Sequence, residues 1–388
     1  MTITLFLILV ITNLWLAYNK QYSKIITILT LVAILMFMAG AGPEYATENR
    51  SLDYINYERR YNNITNVGIT YDIQIGYTII QKIGAFLGLN FFWFRLTVIA
   101  ICLIILYFFV IKKYTNNVHY FLTFYLMYPM IIDSEQLRNF IAMTIILSAI
   151  NLLRKKTSIY KILYFLMVIL AGTIHTVFLL YLPLIFITQT DNNRFTKLVT
   201  ACSLGLMGIM FLNGNKIPFA DTIIAIMDEE RITRYLSSST SLGFVMPLIL
   251  TISSIILVYW SKKISDTEKY RLQKLTLMNP DIIINENRLL IENNFVNLVF
   301  WINLLSTFFF PFFMITIQFY RMPRNLLILN LVTYSITINK LKKDSLHRII
   351  YIISIVITMF LWLLIDLIIT TEADRVLIPF FTNNSFFN

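Results

Sequence analysis

Apolar stretches about the length of a membrane crossing recur along the chain, and they decide which solvent most of it must meet. A bilayer core of about 30 Å asks for about 20 mostly apolar residues per helix. Runs that meet or approach this length lie near 3-18, 24-41, 91-111, 118-133, 137-153, 160-173, 175-189, 196-213, 243-260, 294-317, 325-340 and 348-370. Twelve spans are therefore expected. Of the 388 residues 57% are hydrophobic and only 14% charged, a balance that would leave a water-soluble domain with large exposed apolar patches. Only helices and closed barrels satisfy their backbone groups in lipid, and runs this long and continuous specify helices. The expected fold is an all-α polytopic membrane protein, residues 1-388 forming a single transmembrane domain. The first span lacks a small-residue cleavage site and is followed at once by a second, so it is read as retained.

The net charge of +11 follows membrane topology and forms no continuous basic stripe, which argues against nucleic acid as a partner. Orientation turns on Tyr160 to Gln189, an apolar stretch interrupted only by Gly172 and His175. Split at His175 into two short spans, it puts Lys20/Lys24, Lys112/Lys113, Arg154 to Lys161, Arg194/Lys197, Lys262/Lys263 and Lys340 to Arg348 on one side. The positive-inside rule therefore requires the split, with both termini outside and His175 near the outer surface. Counted on that topology, the inner side carries 15 Lys and 5 Arg, and the outer side 2 Lys and 10 Arg. Orientation alone does not ask for that separation. Arg offers a planar fork of donors that grips phosphate at two points, so the outer face is expected to bind an anionic headgroup. Pairing with Glu58, Asp72 and Glu135, or contact with lipid headgroups, is the bland alternative.

Two outer loops are long enough to cover a site. The one near 42-90 contains a predicted interfacial helix at Ile75 to Leu89. The one near 213-243 contains Asp228/Glu229/Glu230 followed by Arg231 and Arg234. The inner loop near 261-293 is polar, with no chemical motif. Cys102 and Cys202 lie in apolar runs and read as small core residues, with no disulfide framework.

Four positions carry candidate chemistry. Arg138 starts a helix between the fourth and fifth spans, where free N–H groups add partial positive charge; its alternative is a salt bridge to Glu135 or Asp133. His175, at a turn, has a proton that moves near neutral pH, or is a hydrogen-bonding cap. Arg321 and Arg324 flank Met322-Pro323, where Pro is expected to start the next helix and hold both cations at its amino end. Asp72 is the best placed carboxylate of the first outer loop for general-base work, and could equally be a solvated loop acid. His119 and His347 lie on the inner side, so a His-based metal site is not expected, and no Gly-rich phosphate loop or Asp-rich metal motif is present.

The ordered set Asp72-Ile73-Gln74-Ile75-Gly76-Tyr77, Gln136-Leu137-Arg138-Asn139-Phe140-Ile141-Ala142, His175 with Leu182-Pro183, and the Arg321/Arg324 turn resembles the EpsG-like, or Wzy-type, polymerases of bacterial exopolysaccharide, capsule and O-antigen synthesis. The family pattern often has an acid where this chain has Gln74, and Gln where it has Asn139. The resemblance implies a glycosyltransferase C-type (GT-C-like) bundle in the bacterial cytoplasmic membrane, needing neither metal nor nucleotide. Its substrate would be an undecaprenyl-diphosphate-linked oligosaccharide, with a flippase and chain-length regulators as partners beside membrane lipids. Arg138, Arg321 and Arg324 would hold the diphosphate, with Arg138 also counted in the catalytic set; Asp72 or His175 would take the acceptor proton, and Tyr54, Tyr57, Tyr61 and Tyr71 would stack on sugars. A flippase or transporter is the rival from another class, favoured by Asp366 inside the last span. A lipid-linked glycan ligase is the nearer rival, and a membrane acyltransferase a third.

Overall fold

The structure is a computed structural model that describes residues 2–42, 53–64, 74–155, 157–187, 193–218, 243–278, 286–371 and 373–387. Asp72, Tyr71, Arg50, Arg231, Arg234 and the acidic run Asp228 to Glu230 lie outside the described residues. Among the described residues the chain is helical, with a single isolated backbone bridge between Ala41 and Asn384. It is an all-helical, polytopic membrane protein. Among the described residues five helices are long and apolar enough to cross a membrane, six if a bent pair counts as one span, and five shorter apolar helices accompany them. Two compact units are present. The first comprises Met1–Ile185 and Tyr334–Asn388, the second Phe186–Thr333.

In the first unit the elements are α1 (Thr2–Tyr18), α2 (Lys24–Gly40), α3 (Asp53–Asn62), α4 (Ile75–Phe86), α5 (Phe91–Leu106), α6 (Val118–Met127), α7 (Pro129–Glu135), α8 (Leu137–Leu153) and α9 (Ser158–Ile174). Polar caps set several starts: the Ile26 N–H donates to Ser23 Oγ (3.3 Å) and the Trp93 N–H to Asn90 Oδ1 (3.0 Å). The outward faces of α1, α2, α5 and α9 are aliphatic, with Ile11, Ile25, Ile104 and Leu166 more than half exposed, as lipid-facing surfaces require. One cluster of buried polar groups is matched at close range. Ser23 N–H donates to His119 Nε2 (3.1 Å), which leaves the His119 Nδ1 proton to Asn13 Oδ1 (2.7 Å), while Asn13 Nδ2 donates to Thr30 Oγ1 (2.9 Å). His119 thus locks α1, α2 and α6 together.

The fourth predicted span breaks where the sequence showed only one continuous run. Pro129 has no N–H to give, and the residue before it, Tyr128 (φ −142°, ψ −67°), leaves the helical region, so α6 stops and α7 restarts with Pro at its first turn. At Gln136 the chain then bends by 119° into α8. Arg95, one turn into α5, holds this corner. It is buried, with Nη1 donating to Ala39 O (3.2 Å) and to Ala41 O, Nη2 donating to Ser134 O (2.8 Å), and its guanidinium 4.8 Å from the Tyr54 ring centroid. A cation on the last carbonyls of α2 is the favourable end of the helix dipole.

The stretch expected at Tyr160 to Gln189 is, over its described residues 160–187, two segments, as charge placement requires, although the second is not an α-helix. Thr176–Phe186 is a 3-10 helix that doubles back along α9: Tyr164 Oη donates to Tyr181 O (3.0 Å), and a Cβ on Gly172 would stand 2.5 Å from Leu179 Cδ2. Eleven residues at about 2.0 Å rise reach about 22 Å, farther than the same residues in an α-helix.

The last span of this unit, α16 (Leu346–Leu363), continues as a π-helix over Leu364–Thr370, so the expected run 348-370 is continuous but not uniform. Asp366 lies on this π-helix, fully buried, and accepts a hydrogen bond from Tyr128 Oη. α17 (Leu377–Thr382) ends the unit; beyond it Asn384 Nδ2 donates to Phe37 O (3.1 Å), against Gly40, where a Cβ would fall 2.3 Å from Asn384 Oδ1.

In the second unit α10 (Arg194–Leu212) packs on α12 (Glu286–Leu305), and α12 packs on α11 (Val245–Met278). The polar inner loop expected near 261-293 is largely these two helices prolonged. The reason is local pairing along the hairpin: Lys262 bridges Asp266 (3.3 Å, one turn on) and donates to Asn297 Oδ1 (2.8 Å), and Ser265 Oγ donates to Asn293 Oδ1 (2.5 Å). Cys202 is exposed on α10 and so is not the core residue expected, whereas Cys102 of α5 is buried.

The predicted span 294-317 is likewise broken, into α12, a 3-10 turn, and α13 (Phe310–Ile315) with Pro311 at its start. A further 3-10 turn leads to α14 (Arg321–Asn325), before α15 (Leu327–Lys340) crosses the unit boundary at Tyr334. Pro323 sits inside α14 and does not start α15, because its carbonyl takes the Leu326 N–H (3.1 Å) and closes that one-turn helix first.

Candidate functional site

The site is built at one corner of the first unit, where α3, α4, the first turn of α8 and the end of α9 meet. Arg138 is the second residue of α8, just past the bend at Gln136. Its Nη1 donates to Gln74 Oε1 and its Nε to Tyr57 Oη (3.2 Å), while the guanidinium lies 5.0 Å from the Tyr57 ring centroid and 5.9 Å from that of Tyr77. The salt bridge to Glu135 or Asp133 that the sequence allowed does not form. Glu135 Oε1 instead accepts the Tyr54 N–H (3.2 Å) at the start of α3, and Asp133 Oδ2 accepts from Tyr125 Oη (3.1 Å). Asp53 acts on Arg138 only at longer range. The groups hydrogen-bonded to Arg138 are therefore neutral, and its charge is not consumed by its own support.

Gln74 is the residue just before α4, and two positions on Gly76 brings that helix against α9. A Cβ on Gly76 would stand 2.3 Å from Thr173 Oγ1 and 3.1 Å from the Thr173 carbonyl carbon, so only glycine admits this approach. Thr173 in turn lies two residues before His175, which ends α9 with extended backbone (φ −147°, ψ 106°), gives its N–H to Ala171 O (2.9 Å), and sets its ring 5.8 Å from Phe178. The motif around Gln74 and Gly76 thus joins the Arg138 turn to the turn that carries His175.

A second arginine belongs to the same corner. Arg60 of α3 donates from Nε to Gln81 Oε1 (3.2 Å) and from Nη2 to Thr78 Oγ1 (2.6 Å), with its guanidinium 5.9 Å from the Tyr77 centroid. Tyr77 is fully buried and meets Tyr57 edge to face at 5.8 Å. Burial pushes the Tyr57 phenol up to about 12 and raises that of Tyr77 as well, so both remain O–H donors at neutral pH.

Of the tyrosines expected from sequence to stack on sugars, Tyr71 lies outside the described residues, and Tyr54, Tyr57 and Tyr61 make packing contacts within the unit. Tyr61 stacks on Phe94 (4.6 Å) and donates to Leu89 O (2.7 Å), Tyr54 covers Arg95, and Tyr57 supports Arg138. The cause is shared: each faces inward from α3, whose ring-bearing side must be covered.

Arg321 and Arg324 belong to the second unit. Arg324 is buried, with Nη1 3.5 Å from Tyr320 Oη and its guanidinium 5.4 Å from that ring, and Arg321 is half-buried. Sequence reasoning missed Arg60 and Tyr77 as members of the site and gave Gln74 only the status of a missing acid. Tyr77 stood within the quoted motif, but nothing in the sequence tied it to Arg60. Among the described residues no group of three His, Cys, Asp or Glu side chains could hold a metal ion.

Fold and site together define a multi-pass, all-helical membrane protein in which Arg138, at a helix start, is hydrogen-bonded to neutral side chains. The chain matches the model of the EpsG family over residues 44–377, most of its length, and belongs to that family. Membership supports a role of the polysaccharide-polymerase type. No curated protein and no solved structure matches the chain.

Proposed function

We propose that this protein is a membrane glycosyltransferase that polymerises a lipid-linked polysaccharide. It would transfer the growing glycan from undecaprenyl diphosphate to the non-reducing end of a lipid-linked repeat unit, at the outer leaflet of the bacterial cytoplasmic membrane and within a C-type architecture. The observation that carries the proposal is Arg138, whose guanidinium is fixed by the neutral oxygens of Gln74 and Tyr57. A cation oriented in advance and not neutralised can stabilise charge as it develops on a leaving group.

In the proposed reaction the acceptor hydroxyl attacks the anomeric carbon of the growing chain. The bond between that carbon and the diphosphate oxygen breaks, and its electron pair leaves on the diphosphate. Arg138 meets that charge, with Arg321 and Arg324 as further candidate ligands. The proton of the acceptor hydroxyl goes to a base, for which His175 and Asp72 are the candidates. Gln74 cannot be that base: its amide does not take up a proton at neutral pH, and its oxygen is already occupied by Arg138.

The test is reconstitution of the full chain in liposomes with undecaprenyl-diphosphate-linked repeat units. A ladder of glycan lengths, with release of undecaprenyl diphosphate, supports the proposal. Movement of intact substrate across the bilayer without lengthening would make the protein a flippase, and transfer only to a different acceptor would make it a ligase.

A further inference from the structure

α2 and α5 pack against each other in the first unit, yet they leave between them a groove of about 310 Å³. Its walls are Ile28 and Val32 on one side and Ile104 and Phe108 on the other, each about half exposed. Leu103 is buried at its base, and Ala100 is the small residue at the end away from Tyr107. Among the lining residues Tyr107 alone has a polar side chain, and it hydrogen-bonds to Tyr22, just before α2. Tyr107 also opens the π-helix Tyr107–Ile111, a widened turn of the kind often found at functional sites.

The groove has a basic end. Lys24 lies one helical turn before Ile28 and two before Val32, so it shares their face of α2, and Lys112 follows Phe108 by the same interval. Both lysines are exposed, and among the described residues neither has an ion-pair or hydrogen-bond partner. Residues 1–42 and 91–132, which supply α1, α2, α5 and α6, contain no Asp or Glu. Next to Lys112, Lys113 is within electrostatic reach of Arg154 and Lys155, so the neighbouring helix ends add positive charge. Exposed cations at the mouth of an apolar groove match a molecule with an anionic head and an apolar chain.

The dimensions choose among such molecules. From Ile28 to Leu35 the groove runs about 10 Å along α2, and one leaflet provides about 15 Å of hydrocarbon. A helix, about 10–12 Å across with its side chains, is too wide for a groove of this volume over that length. The charge placement puts Lys24 and Lys112 on the inner side.

We infer that the groove between α2 and α5 holds one acyl chain of an anionic phospholipid of the inner leaflet, with its phosphate met by Lys24 and Lys112. A zwitterionic lipid offers the same chain but carries a compensating positive charge in its head, which the lysines disfavour. None of the lining residues belongs to the candidate site around Arg138, so lipid binding here is separate from the transfer chemistry.

The test is photolabelling of the purified full-length protein in phosphatidylcholine nanodiscs. Increasing fractions of a phosphatidylglycerol carrying a diazirine on one acyl chain are compared with a phosphatidylcholine carrying the same chain, and labelled peptides are mapped by mass spectrometry. The acidic probe is expected to label 28–35 and 100–108 at a lower fraction than the neutral one, while both label Leu166 and Leu170 of α9, exposed like the groove walls, alike. Lys24→Gln combined with Lys112→Gln is expected to raise the half-labelling fraction of the acidic probe about fivefold or more. Val32→Trp, which fills the groove, is expected to remove labelling by either probe at Ala100 and Leu103. The lysine variant, altered only at exposed positions, carries the test alone if Val32→Trp does not accumulate.

Equal labelling of the groove by the two probes would make its occupant bulk lipid and overturn the inference, as would an unchanged acidic preference in the lysine variant. Labelling of α9 with none in the groove would show that a protein segment or a second copy covers it, which overturns the inference as well.

Discussion

Gln74 Oε1 accepts a hydrogen bond from Arg138 Nη1 across 64 residues of sequence. A residue that looked like the loss of a catalytic acid is thereby a support for the cation beside it. An acceptor of this size at position 74 orients the guanidinium, whether or not it carries charge.

Substitutions at position 74 should separate those two roles. Gln74→Leu removes the acceptor and is expected to lower polymer yield about tenfold or more, because a charge-assisted hydrogen bond is worth about 1.5–3 kcal/mol. Gln74→Glu keeps an acceptor but sets a negative charge against Arg138, and is expected to fall below wild type while losing less than Gln74→Leu. Chain-length profiles of extracted polysaccharide measure both; equal loss in the two variants would show that an acceptor alone does not keep Arg138 working, and wild-type yield in Gln74→Leu would remove the supporting role of Gln74.

Gly76 is expected to tolerate no side chain. In Gly76→Ala the new Cβ would press on Thr173 at Oγ1 and at the backbone, a strain of about 1–3 kcal/mol. Polymer yield should fall. Adding Thr173→Ala removes the hydroxyl but not the backbone contact, so the double variant is expected to recover part of the lost activity. No recovery at all would mean that the α4 to α9 contact is not what Gly76 protects.

Arg95 and Arg138 should fail in different ways. Arg95→Ala leaves the carbonyls of Ala39, Ala41 and Ser134 without their donor inside the bundle, at about 1–3 kcal/mol for each group left unpaired. Its thermal unfolding in detergent, followed by size-exclusion chromatography, is expected several degrees below wild type. Arg138→Ala, whose partners are a half-buried corner and neutral side chains, should unfold close to wild type and lose activity.

Sidedness can be read by thiol labelling in intact cells. Leu87, an exposed residue just beyond α4, is placed outside by the positive-inside reading, and Asp344, in the turn before α16, inside. A membrane-impermeant maleimide should modify Leu87→Cys and spare Asp344→Cys. The opposite pattern would invert the topology.

Much of the bundle was legible because its signals are local. Uniform apolar runs between polar caps set the extents of α2, α5, α8 and α10 within a few residues. The break at Tyr128 was not, since one proline in an apolar run reads equally as a kink or a start. Nor does composition separate the 3-10 segment Thr176–Phe186 from an α-helix, or reveal the π-helical turns at Tyr107–Ile111 and Leu364–Thr370.

The site was half legible. Arg138, Gln74 and Gly76 all stood in quoted motifs, but their roles come from contacts distant in sequence: Arg138 with Gln74, and Gly76 with Thr173. Arg60 and Arg95 looked alike as outer arginines. Packing gave one to the candidate site and the other to the helix corner.

The central claim is that Arg138 serves the chemistry and not the fold. Its most direct measurement is the glycan length distribution made by purified Arg138→Ala and Arg138→Lys proteins in liposomes supplied with undecaprenyl-diphosphate-linked repeat units. The account predicts folded proteins that leave repeat units unpolymerised in the Ala variant, with weak lengthening in the Lys variant, since Lys keeps the charge but not the fork. Normal chain lengths in Arg138→Ala would contradict it.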